Sequence, residues 1–197
     1  MPEMPAMARA LAVSLPSRIL ARRVVLPWIL GGERPTGEGL EIGAGSGAMS
    51  AALLAVSPTL RVVATDYDAD MVHTARRTLA AAGDRASVER VDAAELPFAD
   101  GRFDFVLSAA MLHHVIAWEK ALAEAIRVLR PGGRLIGYDL LETAPIRLMH
   151  FGHAHDTRML RAGQLESELA QLQVTNVQTR TALGGLVVKF AATKVPE

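Results

Sequence analysis

A group of glycines and carboxylates between residues 41 and 66 has the residue types and spacing best suited to chemistry. Gly43, Gly45 and Gly47 alternate with small residues directly after an apolar run that is typical of a strand. Glycine adopts positive φ easily and lets backbone N–H groups approach a ligand that a Cβ would exclude. Asp66 ends the next strand-like run, where a carboxylate can accept hydrogen bonds from ribose hydroxyls. The pattern predicts a nucleotide-like cofactor on a strand–turn–helix unit.

Two cofactor classes fit this glycine turn, and Glu41 helps to separate them. Gly43 to Ala48 matches the G-x-G-x-x-A fingerprint of dinucleotide sites, so an NAD(P)-dependent oxidoreductase is the alternative hypothesis. A carboxylate at Glu41 would repel a pyrophosphate but would attract the ammonium and sulfonium of S-adenosylmethionine, by about 4 kcal/mol at contact near a protein surface. Glu41 could instead face solvent or cap a helix. The turn with Glu41 therefore favours S-adenosylmethionine.

The elements that must position these residues alternate along the chain. Apolar runs rich in Val and Leu alternate with helical patterns, which predicts a parallel sheet with helices on both faces. Gly184 and Gly185 indicate a hairpin between the last two strands. We expect a Rossmann-like, doubly wound α/β fold whose seven-stranded sheet is mostly parallel and has one C-terminal antiparallel hairpin strand. The predicted strands are 40–43, 60–66, 87–91, 103–108, 134–141, 174–183 and 186–193, and the predicted helices are 48–56, 69–82, 118–129 and 164–172.

The composition of the chain excludes several classes of protein and of site. The chain has 197 residues, of which 50% are hydrophobic, a formal net charge of zero and no cysteine. This size fits a single domain, 1–197, and a neutral chain lacks the basic excess of a general nucleic-acid binder. The absence of cysteine excludes disulfides and thiolate metal sites, and is compatible with a cytoplasmic protein. No apolar run approaches the roughly 20 residues of a membrane-spanning helix.

The glycine turn resembles the first motif of class I S-adenosylmethionine-dependent methyltransferases, within the small-molecule, ubiquinone/menaquinone-type group. Four further segments resemble the family's later motifs in the same order, and the resemblance covers about residues 37–141. Five motifs in sequence are much more specific than one glycine turn. The four later segments are 62–71 on the second strand, 91–98 in the adenine loop, 103–115 on the fourth strand and 127–133 before the fifth.

The resemblance implies roles for individual residues. Gly43, Ala44 and Gly45 would lie against the methionine moiety, and the backbone near Ser108 would meet its amino end. The remaining cofactor-binding predictions are Glu41, Asp66 for the ribose hydroxyls, Tyr67 beside the adenine, Met71, Asp92 for the adenine amino group and the Ala93 N–H for a ring nitrogen. Two of these have structural alternatives, because Met71 also fits a core position and Asp92 also fits a turn cap.

Histidines supply the candidates for a general base. His113 and His114 follow the fourth strand, at the edge where ligands bind in such sheets, and imidazole titrates near neutral pH. The alternative is that the pair packs or hydrogen-bonds beneath the cofactor. His150, His153 and His155 are interpreted as part of a polar lid rather than as metal ligands, so no metal site is predicted. In-line methyl transfer does not require a base unless the acceptor must lose a proton.

The acceptor is predicted to be a small, lipophilic molecule. The chain has no inserted substrate domain, so the acceptor pocket falls to a helical N-terminal cap, 1–36, and to residues 142–197, on either side of the 37–141 core. Arg18, Arg22 and Arg23 precede the apolar run 24–30. We consider three interpretations of this segment: a helix packed over the domain, a homodimer contact, or a peripheral membrane contact. A noncatalytic protein that keeps the cofactor fold is a further hypothesis.

Overall fold

The computed structural model of the chain describes residues 14–149 and 158–196, which include a single seven-stranded sheet of order β3-β2-β1-β4-β5-β7-β6. The predicted Rossmann-like fold class is confirmed. The pairings among β1 to β5 are all parallel, whereas β7 is antiparallel to both β5 and β6. The strands are β1 (Glu38–Ile42), β2 (Arg61–Asp66), β3 (Ala86–Arg90), β4 (Phe103–Ala109), β5 (Leu129–Leu140), β6 (Val174–Ala182) and β7 (Val187–Lys194).

The helices cover both faces of the sheet, and most of them match the sequence prediction. The helix predicted over 69–82 ends earlier, at Leu79, and continues as a 3₁₀ segment in which Gly83 has a φ of 55°. A short helix after β5 was not predicted. The α-helices are α1 (Leu15–Leu20), α2 (Leu26–Leu30), α3 (Ala48–Val56), α4 (Ala69–Leu79), α5 (Trp118–Val128), α6 (Ala144–Met149) and α7 (Gln164–Leu169).

The strand order reverses at the centre of the sheet, where β1 lies between β2 and β4. In a doubly wound sheet, the crevice at the carboxyl ends of these strands is where ligands bind. Ile42 of β1 is aligned with Thr65 of β2 and with Ser108 of β4, so the chain leaves all three strands at one level. The glycine turn, Asp66 and the segment after β4 therefore share one edge of the sheet.

The N-terminal segment packs on the domain as a bent helix. A π-helical turn, Ala21–Val25, joins α1 to α2 just before Pro27. Proline has no N–H for the preceding turn and its ring crowds the carbonyl there, so a wide turn fits this position. Leu26, Ile29 and Leu30 are buried, which confirms the packed-helix interpretation for these residues. Within the described ranges, no helix combines the length and apolar character needed to cross a membrane.

Candidate cofactor and acceptor site

The glycine turn after β1 has one crowded side and one open side. Gly43, Gly45 and Gly47 all adopt positive φ, of 66°, 53° and 76°. A Cβ on Gly43 would lie 2.5 Å from the Cβ of Met111, and one on Gly47 would lie 3.2 Å from Ala75. A Cβ on Gly45 would meet no described atom within 4 Å. A ligand can therefore approach the backbone at Gly45, while the other two glycines are required by packing and by backbone conformation.

Asp66 connects the end of β2 to this turn. Its Oδ2 accepts a hydrogen bond of 2.7 Å from the Gly45 N–H, and its Oδ1 accepts one of 2.9 Å from the Asp68 N–H. Burial raises the pKa of Asp66, because desolvation outweighs these hydrogen bonds. The structure thus brings the predicted ribose-binding carboxylate next to the open side of the glycine turn.

Glu41 is buried beneath the turn rather than exposed at its mouth. Glu41 is only 1% exposed. Its carboxylate accepts hydrogen bonds from the hydroxyl and the backbone N–H of Ser50, in the first turn of α3. The solvent-facing alternative is wrong, and the Glu41 carboxylate contacts the first turn of α3, although the N-cap residue of that helix is Gly47. Burial raises the pKa of Glu41 to about 7. Its predicted contact with a cofactor cation stays a prediction.

The loop after β3 is shaped by Asp92. The Asp92 Oδ1 accepts a hydrogen bond of 2.9 Å from the Ala94 N–H, and the Asp92 carbonyl accepts one from the Glu95 N–H. The turn-capping role of Asp92 is confirmed, and its half-buried side chain still borders the same edge of the sheet as Asp66. Ala93 is 3% exposed, so only its backbone is suited to contact an adenine.

The other predicted cofactor residues differ in their surroundings. Met71 is 1% exposed in the first turn of α4, which supports the core alternative for its side chain. Tyr67 is half-buried, and the Arg90 guanidinium lies 5.5 Å from its ring centre. Ser108 is buried, and among the described residues its Oγ has no hydrogen-bond partner. Adenine stacking by Tyr67 and a methionine contact at Ser108 stay predictions.

His113 is held by a carboxylate that the sequence did not single out. The His113 Nδ1 lies 2.6 Å from the Asp139 Oδ1, and both residues are buried. Asp139 also accepts hydrogen bonds of 2.7 Å from the Leu112 and Leu140 N–H groups. This geometry supports the packing interpretation of the pair, and the role of either imidazole as a base stays a prediction. The sequence signal for this contact is the position of Asp139 within the apolar run of β5. A buried carboxylate needs a hydrogen-bond partner, so one could be expected nearby.

Aromatic side chains line the edge of the sheet beyond β4. The Trp28 ring of α2 meets the Tyr138 ring of β5 edge-on, with 5.8 Å between ring centres. Burial raises the pKa of the Tyr138 hydroxyl, and the charges of Asp139 and Glu41 raise it further. His150, His153 and His155 lie outside the described residues. Within the described part of the chain, no group of three potential metal ligands occurs.

The fold and this edge together define a Rossmann-like domain whose glycine turn and strand-end carboxylate have the form of a nucleoside-cofactor site. A carboxylate for ribose and a glycine turn with an open side lie over β1 and β2, and a buried acid underlies the turn where a dinucleotide would place its pyrophosphate.

Comparison with known proteins agrees with this class and makes it specific. The family profile described as "Methyltransferase domain" matches residues 40–137. A demethylmenaquinone methyltransferase from Clavibacter sepedonicus is 38% identical over 136 residues, which are 69% of this chain and 51% of that protein. A ubiquinone/menaquinone biosynthesis C-methyltransferase from Ectopseudomonas mendocina is 39% identical over 54% of this chain and 43% of its own length. The chain belongs to the class I methyltransferase family.

A solved structure supports the fold over almost the whole chain. The methyltransferase in complex with the Trm112 activator from Haloferax volcanii superposes with a TM-score of 0.78 at 16% identity, over 97% of this chain and 96% of that one. The chain spans about half the length of the curated relatives that it matches, at 51% and 44% of the first two. The comparisons give no support to the oxidoreductase alternative.

Proposed function

We propose that this chain transfers a methyl group from S-adenosylmethionine to a small, lipophilic, quinol-like acceptor, with carbon as the methylated atom. The observation that carries the cofactor assignment is the bond between Asp66 and the Gly45 N–H, 2.7 Å long, at the open side of the glycine turn. The relatives' names, which include quinone C-methyltransferases, support the acceptor class.

The residues present fit the cofactor in its chemistry. The open space at Gly45 leaves room for a ligand against the backbone, and Asp66 presents a carboxylate to ribose hydroxyls. Asp92, whose Oδ1 fixes the loop, would meet the adenine side. When bound, S-adenosylmethionine supplies an electrophilic methyl group on a sulfonium.

The chain's own contribution to the reaction is mainly positioning. Holding acceptor and donor in line can supply several kcal/mol of a barrier, of the order of 7 or more in favourable cases. Trp28 and Tyr138 form an aromatic wall on the acceptor side, and flat rings of this kind can pack against a flat acceptor. The Asp139–His113 pair fixes the segment after β4, which would otherwise be free to shift beneath the reacting groups.

Methylation of a carbon on a phenol-like ring is helped by removal of the phenolic proton. His114 is the candidate to take that proton, because it follows β4 at the carboxyl edge of the sheet. The Tyr138 hydroxyl, whose pKa is raised, stays protonated and can only donate a hydrogen bond. His113 is a positioning residue in this proposal, since its Nδ1 is bound to Asp139.

Transfer of a labelled methyl group from S-adenosylmethionine to demethylmenaquinol, or to a short-chain naphthoquinol, tests the proposal. We expect a labelled ring-methylated product with wild-type protein and a large loss with Asp66→Ala. Binding of S-adenosylhomocysteine without product from any acceptor would favour the noncatalytic alternative. A product methylated on oxygen would overturn the assignment of carbon.

A further inference from the structure

Exposed leucine, isoleucine and valine side chains are concentrated at one end of the N-terminal helix. Ile19, Leu20 and Val24 are 46%, 52% and 57% exposed. Trp28 lies beside Tyr138, near the carboxyl end of β5, whereas Glu33 pairs with Arg134, nearer its amino end. From Trp28 to Glu33 the chain therefore runs antiparallel to β5. The helix before Trp28 therefore rises toward the carboxyl edge of the sheet, where the candidate site lies.

Two more exposed leucines lie at the same edge. Leu148, in α6 directly after the carboxyl end of β5, is 76% exposed, and Leu183 is 73% exposed. Leu183 begins the turn between β6 and β7, close to the pairing of Val187 with Leu140. Its φ is 52°, a left-handed conformation that costs energy for a residue with a Cβ. We call Ile19, Leu20, Val24, Leu148 and Leu183 the apolar rim.

Positive charge accompanies the apolar rim. Arg22 and Arg23 are exposed on the N-terminal helix, Arg147 is exposed beside Leu148, and Arg180 is exposed on β6. Arg147 also lies 3.6 Å from Glu142, so the positive charge beside the rim rests mainly on Arg22, Arg23 and Arg180.

We propose that the apolar rim docks on an anionic lipid bilayer, so that a lipophilic acceptor passes from the bilayer to Trp28 and Tyr138. Exposed apolar side chains flanked by arginines match the acyl boundary and the anionic headgroups of such a surface. The proposal rests on the proposed function only for the identity of the molecule that enters. A symmetric dimer through the same face would bring arginines of the two copies together, which like-charge repulsion disfavours.

Vesicle sedimentation with matched valine variants tests the rim. Val24→Glu places a carboxylate in the rim, whereas Val56→Glu places one on an exposed valine at the far end of α3, away from this edge. We expect wild-type protein to sediment with phosphatidylglycerol-containing vesicles but not with pure phosphatidylcholine. Val24→Glu should lower partitioning at least ten-fold, and Val56→Glu should leave it unchanged.

The arginines give a second, independent variant. Arg22→Gln combined with Arg23→Gln should lower partitioning by about 25-fold, since each basic residue near an anionic surface contributes about five-fold. Absence of binding to anionic vesicles, or equal effects of Val24→Glu and Val56→Glu, would overturn the proposal. A dimer in ultracentrifugation that Val24→Glu dissociates would also overturn it.

Titration with S-adenosylhomocysteine in the absence of vesicles separates this proposal from the proposed function. All rim variants should retain wild-type affinity, because the rim does not touch the glycine turn. Wild-type protein that binds S-adenosylhomocysteine but does not sediment with anionic vesicles would overturn only the rim proposal, whereas wild-type protein that sediments with vesicles but binds no S-adenosylhomocysteine would overturn only the methyltransferase assignment.

Discussion

The two halves of the carboxyl edge are built in different ways. On the cofactor half, β1 and β2 end in a glycine turn and in Asp66, and a single hydrogen bond joins Gly45 to Asp66 across the two strands. On the acceptor half, Trp28 meets Tyr138, and His113 meets Asp139, from points far apart in the chain. The cofactor half depends on backbone groups and local turns, whereas the acceptor half depends on side chains that only tertiary packing brings together.

This difference predicts that the cofactor half can be altered without disturbing the acceptor half, and the reverse. Asp92 holds its own loop, and Asp66 holds both its own loop and the glycine turn. Asp139 ties β5 to the segment after β4 through the Leu112 N–H and the His113 imidazole. Variants of the two halves should therefore separate cofactor affinity from stability and from use of the acceptor.

The largest expected effect is on cofactor affinity. Asp66→Ala removes the carboxylate that would accept hydrogen bonds from two ribose hydroxyls and that accepts one from the Gly45 N–H, so we expect affinity for S-adenosylhomocysteine to fall about 1,000-fold, or about 4 kcal/mol. Calorimetric titration measures this. Asp70→Ala, on an exposed acid in the first turn of α4, is the matched control and should change affinity little. Equal affinities of Asp66→Ala and wild type would place the ribose elsewhere.

Next in size is a loss of stability from the acceptor half. Asp139→Ala leaves buried N–H groups and the His113 ring without their acceptor, so the free energy of unfolding should fall by about 3 kcal/mol. Urea unfolding measures this change. His113→Ala should also destabilise, and the double variant should lose less than the sum of the two, because the residues share one network. Additive effects would show that the pair is not coupled.

Glu41 should make the free energy of unfolding depend on pH. Burial raises its folded-state pKa to about 7 from 4.5, so the folded protein holds this proton more tightly than the unfolded chain does. The stability that the proton contributes is full below pH 4.5 and is lost as pH rises through about 7, a change of about 3 kcal/mol. Unfolding of Glu41→Gln should lack this slope. Glu38→Gln, at the exposed start of β1, should retain it.

The smallest predicted effect concerns the acceptor. Trp28→Ala removes one face of the aromatic wall, so kcat/KM for a naphthoquinol acceptor should fall about ten-fold, or about 1.4 kcal/mol. Affinity for S-adenosylhomocysteine should stay within about two-fold of wild type, and Trp28→Phe should restore most activity. A similar loss in cofactor affinity would mean that α2 supports both halves and that the division is wrong.

The cofactor half could be predicted from the sequence because its signals are local. Glycine spacing, an acid at a strand end and an Asx turn each depend on a few neighbouring residues, as the bonds from the Asp68 N–H to Asp66 and from the Ala94 N–H to Asp92 show. The mostly parallel sheet and its antiparallel C-terminal strand followed from strand–helix alternation and from the Gly184–Gly185 hairpin. The contact of Glu41 with a helix was part of one alternative only, since its partner Ser50 lies in the first turn of the next helix.

The acceptor half could not be predicted in the same way. Asp139 of β5 is paired with His113 after β4, and Trp28 of α2 contacts Tyr138 of β5. The partners are far apart in the sequence, so no local pattern specifies either contact. The short helix α6 follows β5 with a proline in its first turn and too few residues for a periodic signal. His150, His153 and His155, interpreted as part of a lid, lie outside the described residues.

The most direct measurement of the central claim is a pair of calorimetric titrations of wild-type protein, one with S-adenosylhomocysteine and one with NADH. If the glycine turn binds S-adenosylmethionine, we expect micromolar or tighter binding of S-adenosylhomocysteine and no measurable heat with NADH. Tight binding of NADH with no response to S-adenosylhomocysteine would contradict it, because the glycine turn over the buried Glu41 would then accept a pyrophosphate.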